Sequence, residues 1–185
     1  MLAEPIVVNL FGGPGAGKST ASAGLFYELK RRGHEAELIQ EFAKDMTYAE
    51  SWRGLSNQIY IFGEQHHRLF RLVGKVDVVV SDASFIHGLV YNARDRHHLS
   101  QLILEEFHRF RNLNFLIERD PELPYSEVGR YQNAQQARGL DGDIRSMLAQ
   151  HQIPYTTIHK IDHDIETIIR QVEQALARAR AEEAQ

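Results

Sequence analysis

Short apolar runs alternate with helical patterns along the chain. Apolar residues recur at helical spacing near residues 18–32, 55–73, 99–111, 131–150 and 164–183. Before and between these stretches, continuous apolar runs predict five strands, at residues 5–11, 36–40, 76–81, 113–117 and 154–158. A chain in which strands and helices alternate forms a parallel sheet with helices on both faces. The pattern therefore predicts an α/β fold built on a five-stranded parallel sheet.

A glycine-rich loop joins the first predicted strand to the first predicted helix. Residues 12–19 read G-G-P-G-A-G-K-S and fit the phosphate-binding pattern G-x-x-x-x-G-K-[ST]. Glycine lets backbone N–H groups turn inward around phosphate oxygens, and the helix that follows directs its positive end at them. Lys18 is predicted to reach the β and γ phosphates, and the Ser19 hydroxyl to ligate Mg²⁺. The loop therefore predicts a P-loop NTPase fold that binds a nucleoside triphosphate.

An aspartate follows the third predicted strand. The apolar run 76–80 leads into Ser81 and Asp82, and in parallel α/β sheets ligands bind beyond the carboxyl ends of the strands. A carboxylate at this point holds Mg²⁺ directly or through water in phosphate-loop proteins. Asp82 is therefore predicted as a metal ligand, and a helix N-cap or turn aspartate is the alternative.

Two carboxylates and a lysine follow the second predicted strand. Glu41, Lys44 and Asp45 are expected near the edge of the γ-phosphate. Transfer to a hydroxyl needs a group that accepts the hydroxyl proton, and either acid is chemically suited. Glu41 is slightly favoured because it is nearer to the strand end, whereas an ordinary charged loop or helix start is the alternative for both acids. Lys44 is predicted either to neutralise phosphate charge or to be a solvated side chain.

The segment from Glu118 to Arg130 has the composition of a loop. It contains two prolines and a glycine and is longer than an ordinary connection. Long loops in such folds are often lids, so a lid is predicted at about residues 118–131. Arginines brought in by a closing loop stabilise the charge that spreads over the γ-phosphoryl oxygens. Arg119 and Arg130 are the predicted arginines, and surface ion pairs with the acids nearby are the alternative.

Residues 55–68 carry amides and aromatic side chains between apolar residues at helical spacing. Such a helix face can line a pocket for the group that accepts the phosphate. Gln58 can hydrogen-bond a base edge in two directions, and Tyr60 or Phe62 could stack on the base. For the aromatic residues, a place in the core is the stronger alternative.

Composition limits the class of protein. A chain of 185 residues with 43% hydrophobic content suits one domain, residues 1–185, with a sizeable core. The net charge of −4 argues against a protein coated in positive charge for nucleic acid, but leaves room for a local basic groove. The chain has no cysteine, no leader-like start and no stretch of eighteen apolar residues. These features predict a soluble cytoplasmic protein without a membrane partner.

Five motifs carry a family resemblance: G-G-P-G-A-G-K-S-T, Q-E-F-A-K-D, N-Q-I-Y-I-F-G-E-Q, V-V-V-S-D and G-R-Y-Q-N. Over most of its length the chain resembles P-loop kinases of the nucleoside and nucleotide kinase group. More narrowly, it resembles small phage kinase-like ATP-binding proteins related to nicotinamide riboside kinase domains, some relatives of which are thought to phosphorylate 5-hydroxymethylpyrimidines within DNA. If the gene belongs to a phage, the protein is expected in the host cytoplasm.

The resemblance implies the places of the ligands. It puts the phosphate acceptor near Glu41 and Asp45 and the lid around Arg119 to Arg130. ATP and Mg²⁺ are implied at Asp82 and at the loop residues Gly12, Gly13, Gly15, Ala16, Gly17, Lys18, Ser19 and Thr20. One departure matters. Deoxynucleoside kinases carry an acid-arginine-serine triplet after the third strand, whereas this chain has D-A-S at 82–84, so the arginine role has no counterpart at Ala83.

The loop, the acids and the lid together predict a kinase. It would transfer the ATP γ-phosphoryl group to a hydroxyl or phosphate of a nucleoside, a nucleotide or a modified DNA base such as a 5-hydroxymethylpyrimidine. The alternative is a P-loop ATPase or nucleotide-dependent switch with no small-molecule acceptor. An AAA-type motor would carry a second acid beside Asp82, where this chain has Ala83. The acceptor, the base preference, the choice between Glu41 and Asp45, and the formation of a homodimer stay open.

Overall fold

The computed structural model describes residues 4–92, 97–122, 124–126, 128–159 and 161–183. Its strands are β1 (Ile6–Phe11), β2 (Ala36–Ile39), β3 (Val78–Ser81), β4 (Arg111–Ile117) and β5 (Thr156–Ile158). Its helices are α1 (Lys18–Arg31), α2 (Phe42–Tyr48), α3 (Trp52–Ser56), α4 (Gln58–Phe70), α5 (Gly88–Tyr91), α6 (His97–His108), α7 (Ala134–Gln150) and α8 (Ile161–Glu183). A 3-10 turn at Phe85–His87 precedes α5.

The five strands form one parallel sheet in the order β2-β3-β1-β4-β5. β1 lies in the centre, with β3 on one side and β4 on the other. The chain leaves β1 for one half of the sheet and later returns to build the other half, so a crevice opens at the carboxyl end of β1, where such sheets bind ligands. The predicted α/β fold with a five-stranded parallel sheet is confirmed.

The side chains of β1 divide between two hydrophobic clusters, because successive residues of a strand point to opposite faces. Val7 and Phe11 pack against α4, α6 and α7. Ile6, Val8 and Leu10 pack against α1 and α8. Both faces of the sheet are therefore covered by helices, which explains why β1 is apolar except for Asn9 and β3 except for Ser81.

Element boundaries differ from the predicted ones where a local signal intervenes. The predicted helix 55–73 is two helices, since Asn57 ends α3 and its side chain accepts a hydrogen bond from the Tyr60 N–H at the start of α4. The helix predicted from residue 131 begins at Ala134 because Asn133 and Gln136 form a capping box there. The short helix α2 was not predicted. Within the described ranges, no helix is long and apolar enough to cross a membrane.

Three asparagines form a polar cluster inside the sheet. Asn9 is 2% exposed, and its Nδ2 donates to Oδ1 of Asn112 at 2.8 Å and of Asn114 at 3.1 Å. Nδ2 of Asn114 donates in turn to the carbonyl of Pro154, just before β5. The cluster therefore ties the central strand to β4 and to the segment that enters β5.

We expect Asn9→Ala to lower the free energy of unfolding by about 1–3 kcal/mol, because the substitution leaves the buried amide oxygen of Asn114 and the half-buried one of Asn112 without their donor. Urea denaturation followed by circular dichroism measures the change. Gln101→Ala, on the exposed side of α6, is the control and should unfold at the wild-type midpoint. An unchanged midpoint for Asn9→Ala would show that the cluster adds nothing to stability.

Candidate active site

The phosphate-binding loop curves between β1 and α1. Gly17 takes φ 98°, a conformation that glycine adopts readily, and α1 begins at the next residue. The Lys18 ammonium donates to the carbonyls of Gly12 at 2.8 Å and Gly13 at 3.1 Å. It therefore lies folded over the loop. Six of the eight predicted nucleotide-binding residues line one cavity, namely Gly12, Gly15, Gly17, Lys18, Ser19 and Thr20.

The other two predicted loop residues, Gly13 and Ala16, are buried and are not part of the cavity wall. Gly13 donates its N–H to Oδ1 of Asp141 on α7 at 2.7 Å, and the Ala16 N–H donates to the Gly13 carbonyl. The first half of the loop is thus held from outside by a helix that is distant in sequence.

Arg119 completes this support. Its Nε lies 2.9 Å from Oδ2 of Asp141, and its guanidinium also donates to the Pro14 carbonyl at 2.8 Å. Arg119 does not line the cavity. Its contacts are those of a residue that holds the loop in place through Asp141, an ion pair that is mostly shielded from solvent.

Ser19 and Asp82 meet at the edge of the sheet. The Ser19 hydroxyl donates to Oδ2 of Asp82 at 2.8 Å. Asp82 is 3% exposed, and its other oxygen, Oδ1, is buried with no hydrogen-bond partner in the described part of the chain. A hydroxyl oxygen and a carboxylate oxygen without another partner are ligands that suit Mg²⁺. The residues present therefore fit a magnesium site.

Glu41 lies between β2 and α2 and lines the cavity with Lys18. Burial raises the pKa of its carboxyl, and the negative charge of Asp82 acts in the same direction, while the Lys18 ammonium opposes the shift. A carboxyl that holds a proton more readily than usual, beside the phosphate-binding lysine, is suited to accept a proton from a substrate.

Asp45 lies elsewhere. Its carboxylate is exposed and pairs with the Arg68 guanidinium at 2.8 Å, and it is not part of the cavity wall. Glu41 thus lies on the cavity wall and Asp45 does not, whereas the sequence left the choice between these two acids open. Lys44, one residue earlier, does line the cavity.

The cavity extends from the phosphate-binding loop to α3 and α4 and has a volume of about 730 Å³. Gln58 and Phe62, both predicted to contact an acceptor, line it. Phe62 is also buried against Phe85, so its core and pocket roles coexist. Tyr60 instead packs edge-on against Phe42 and is not on the cavity wall.

Gln65 is a cavity residue that sequence reasoning did not single out. Its Oε1 accepts from the Phe42 N–H, and its Nε2 donates to the carbonyls of Gln40 and Ala83. It therefore joins the ends of β2 and β3 to the start of α2. A glutamine at helical spacing among apolar residues was the one sequence signal for it.

The end of the predicted lid segment, residues 128–131, lines the cavity; within the segment, Leu123 and Glu127 lie outside the described residues. Tyr125 covers Gly15 so closely that a Cβ there would lie 2.9 Å from its ring. Arg130 lines the cavity, with its guanidinium over the Tyr125 ring and bonded to the Ser126 carbonyl. At the far side, the Tyr131 ring contacts Trp52 of α3, with centroids 5.6 Å apart.

Two polar residues after β3 were also missed. Ser84 and His87 line the cavity, and Oγ of Ser84 and Nε2 of His87 are buried without hydrogen-bond partners among the described residues. Their nearness to Asp82 in sequence was the available signal, because all three follow the same strand end.

The sheet order and the phosphate-binding loop define a protein with the P-loop fold. Residues 7–166 match the family described as AAA domain, and the chain belongs to that family. No curated protein matches its sequence.

Solved structures share the fold at low identity. Deoxyadenosine kinase from M. mycoides, with the products dCMP and a flexible dCDP bound, has a TM-score of 0.57 and 14% identity over 91% of this chain and 99% of that one. The same kinase with bound dATP has a TM-score of 0.56 and 15% identity, over 90% of this chain and 99% of that one. The crystal structure of APE1195 has a TM-score of 0.52 and 15% identity, over 94% of this chain and 97% of that one. These likenesses concern the fold.

We expect Asp141→Ala to weaken ATP binding about tenfold, because Gly13 and Arg119 both lose a charged hydrogen-bond partner and the loop loses its external support. Isothermal titration calorimetry with ATP measures the change in Kd. Asp143→Ala is the matched control, since Asp143 is exposed on the same helix. Equal dissociation constants for the two variants would contradict a supporting role for Asp141.

Proposed function

We propose that this protein is an ATP-dependent kinase that transfers the γ-phosphoryl group to an acceptor bound in the cavity. The observation that best supports this proposal is that a single cavity is lined by the phosphate-binding loop, by Glu41 and by polar side chains. These polar side chains are those of Ser56, Gln58 and Gln65. Its volume of about 730 Å³ is typical of a pocket for a small organic ligand. A water molecule as acceptor would need no such space.

In this proposal Glu41 is the general base. The acceptor oxygen forms a bond to the γ-phosphorus while the bond from that phosphorus to the bridging oxygen breaks, and ADP leaves. Glu41 takes the proton that the acceptor hydroxyl releases. Lys18 turns from the Gly12 and Gly13 carbonyls toward the phosphates, and Arg130 stabilises charge from the lid side. Ser19 and Asp82 are the residues that would hold Mg²⁺, which neutralises charge on phosphate oxygens when it is bound.

Arg119 takes a different part from the one that its position in the sequence suggested. Because its guanidinium is committed to Asp141 and Pro14, we assign it to positioning the loop rather than to direct contact with the γ-phosphoryl group.

A nucleoside is the acceptor class with the most support. The structures with a similar fold include deoxyadenosine kinase, whose recorded ligands are deoxynucleotides. A 5-hydroxymethylpyrimidine in DNA is the second acceptor class, consistent with the resemblance to phage kinase-like proteins. A base within a duplex would have to flip out to reach Glu41.

A P-loop ATPase or nucleotide-dependent switch is the alternative function. The family description, AAA domain, favours it. Both functions use the same loop and the same Ser19 and Asp82 pair, so the phosphate acceptor is what distinguishes them.

The deciding experiment is transfer of labelled γ-phosphate from ATP with Mg²⁺ to free nucleosides, nucleoside monophosphates and DNA that contains hydroxymethylated pyrimidines. Label on any acceptor supports the kinase. Release of inorganic phosphate alone supports the ATPase or switch and contradicts the kinase proposal for these acceptors.

We expect Glu41→Gln to bind ATP with wild-type affinity and to lose phosphoryl transfer by roughly a hundredfold or more, because the amide cannot take the hydroxyl proton. Single-turnover transfer and ATP titration measure the two effects. Asp45→Asn is the control and should change the rate less than about threefold, since its carboxylate pairs with Arg68 outside the cavity. A larger loss in Asp45→Asn than in Glu41→Gln would reverse the assignment.

A further inference from the structure

The His87 ring is fixed in the turn that follows β3. Its Nδ1 lies 3.0 Å from the Ser84 carbonyl, and its ring contacts Phe11, with centroids 5.0 Å apart. A carbonyl oxygen can only accept a hydrogen bond, so Nδ1 must carry the proton. In a neutral imidazole the other nitrogen, Nε2, is then a bare acceptor.

The ring is held in this neutral form. Burial lowers the pKa of His87 to about 3, and the nearby Lys18 ammonium adds to the effect, although the bond to Ser84 opposes it. A second proton on Nε2 would add a buried positive charge that the Lys18 ammonium repels. His87 therefore presents a lone pair, and not an N–H, at neutral pH.

Two neighbouring residues of the cavity wall each carry a buried polar atom without a hydrogen-bond partner among the described residues. Nε2 of His87 and Oγ of Ser84 make no hydrogen bond within the described ranges, and both residues line the cavity. Ser84 is 3% exposed. Buried polar groups are rarely left unsatisfied, since each costs about 1–3 kcal/mol. Two of them on one wall indicate a ligand that supplies the missing bonds.

We propose that His87 and Ser84 form a subsite that binds an O–H or N–H group of the phosphate acceptor and determines which acceptors enter. The inference rests on the proposed kinase function. The Nε2 lone pair requires a donor from the ligand, whereas the Ser84 hydroxyl can donate or accept. The subsite therefore selects a neutral acceptor with a donor group at this wall, and rejects one that puts an anionic phosphate there.

The Glu41 carboxylate lies on the same cavity wall as Ser84 and His87 and disfavours an anionic phosphate there. Among the basic residues nearby, Lys18 belongs to the phosphate-binding loop, and Arg130 is bonded to the Ser126 carbonyl over the Tyr125 ring. Lys44 is the remaining basic residue on the described cavity wall.

The test compares variants that remove one atom of the subsite at a time. In His87→Asn the side-chain amide takes the place of Nδ1 and can still donate to the Ser84 carbonyl, but the Nε2 acceptor is gone. In His87→Gln the amide reaches the place of Nε2 and can restore an acceptor there. Ser84→Ala removes a hydroxyl that bonds to no described residue, so it should fold as the wild type does.

Steady-state transfer of labelled γ-phosphate is measured with free deoxynucleosides, the matching monophosphates and hydroxymethylated DNA. We expect His87→Asn to raise the acceptor KM about tenfold, Ser84→Ala to raise it several-fold, and His87→Gln to stay within about threefold of the wild type. The KM for ATP should change less than twofold in all three. A merely structural role would move both KM values and the melting temperature together.

Four outcomes decide the matter. A rise in the KM of the acceptor alone supports the subsite. An unchanged acceptor KM in both His87→Asn and Ser84→Ala overturns it and leaves the kinase proposal intact. Label on the phosphate of monophosphates, with none on nucleosides or DNA, also overturns it and still shows a kinase. No labelled acceptor of any kind overturns the kinase proposal, and the subsite falls with it.

Discussion

The parallel pairing of β1 with both of its neighbours is the constraint on which the whole site depends. Asn9 is in register with Ser81 of β3 and with Asn114 of β4, so the strands end at the same edge. Ser81 is in turn in register with Ile39 of β2, whose carbonyl accepts the Asp82 N–H. The register therefore brings the phosphate-binding loop, Asp82 and Glu41 together, although about seventy residues separate the first from the second.

Around this edge, burial sets the charge state of the cavity wall. It raises the pKa of Glu41 and lowers that of His87, so each group is shifted toward its neutral form. The Lys18 side chain lies on the same cavity wall. Because water is partly excluded, hydrogen bonds and charges aimed at an incoming phosphate act more strongly there than they would on an open surface.

The parts of this arrangement that could be predicted from sequence are those that depend on short spacing. The loop motif, the order of strands and helices, and the acids that follow β2 and β3 are encoded within a few residues of one another. The contacts that join distant segments were not encoded in this way. Arg119 has the expected position at the end of β4, but its partner Asp141 lies on α7, and no pattern along the chain pairs them.

A contact between distant segments also explains why Glu41 lies on the cavity wall and Asp45 does not. Both lie in one short charged stretch, and their order along the chain favoured Glu41 only slightly. Arg68 draws Asp45 to the outside, and this residue belongs to α4, twenty-three positions away. The tautomer of His87 is likewise set by a carbonyl in a turn that only the folded chain defines.

The contact between Trp52 and Tyr131 gives the molecule a built-in optical reporter. The chain has a single tryptophan, and it lies on the cavity wall against Tyr131, at the end of the predicted lid segment. Any movement of Tyr131 relative to α3 changes the surroundings of this one indole. Its emission therefore reports on this part of the cavity wall without an attached dye and without background from other tryptophans.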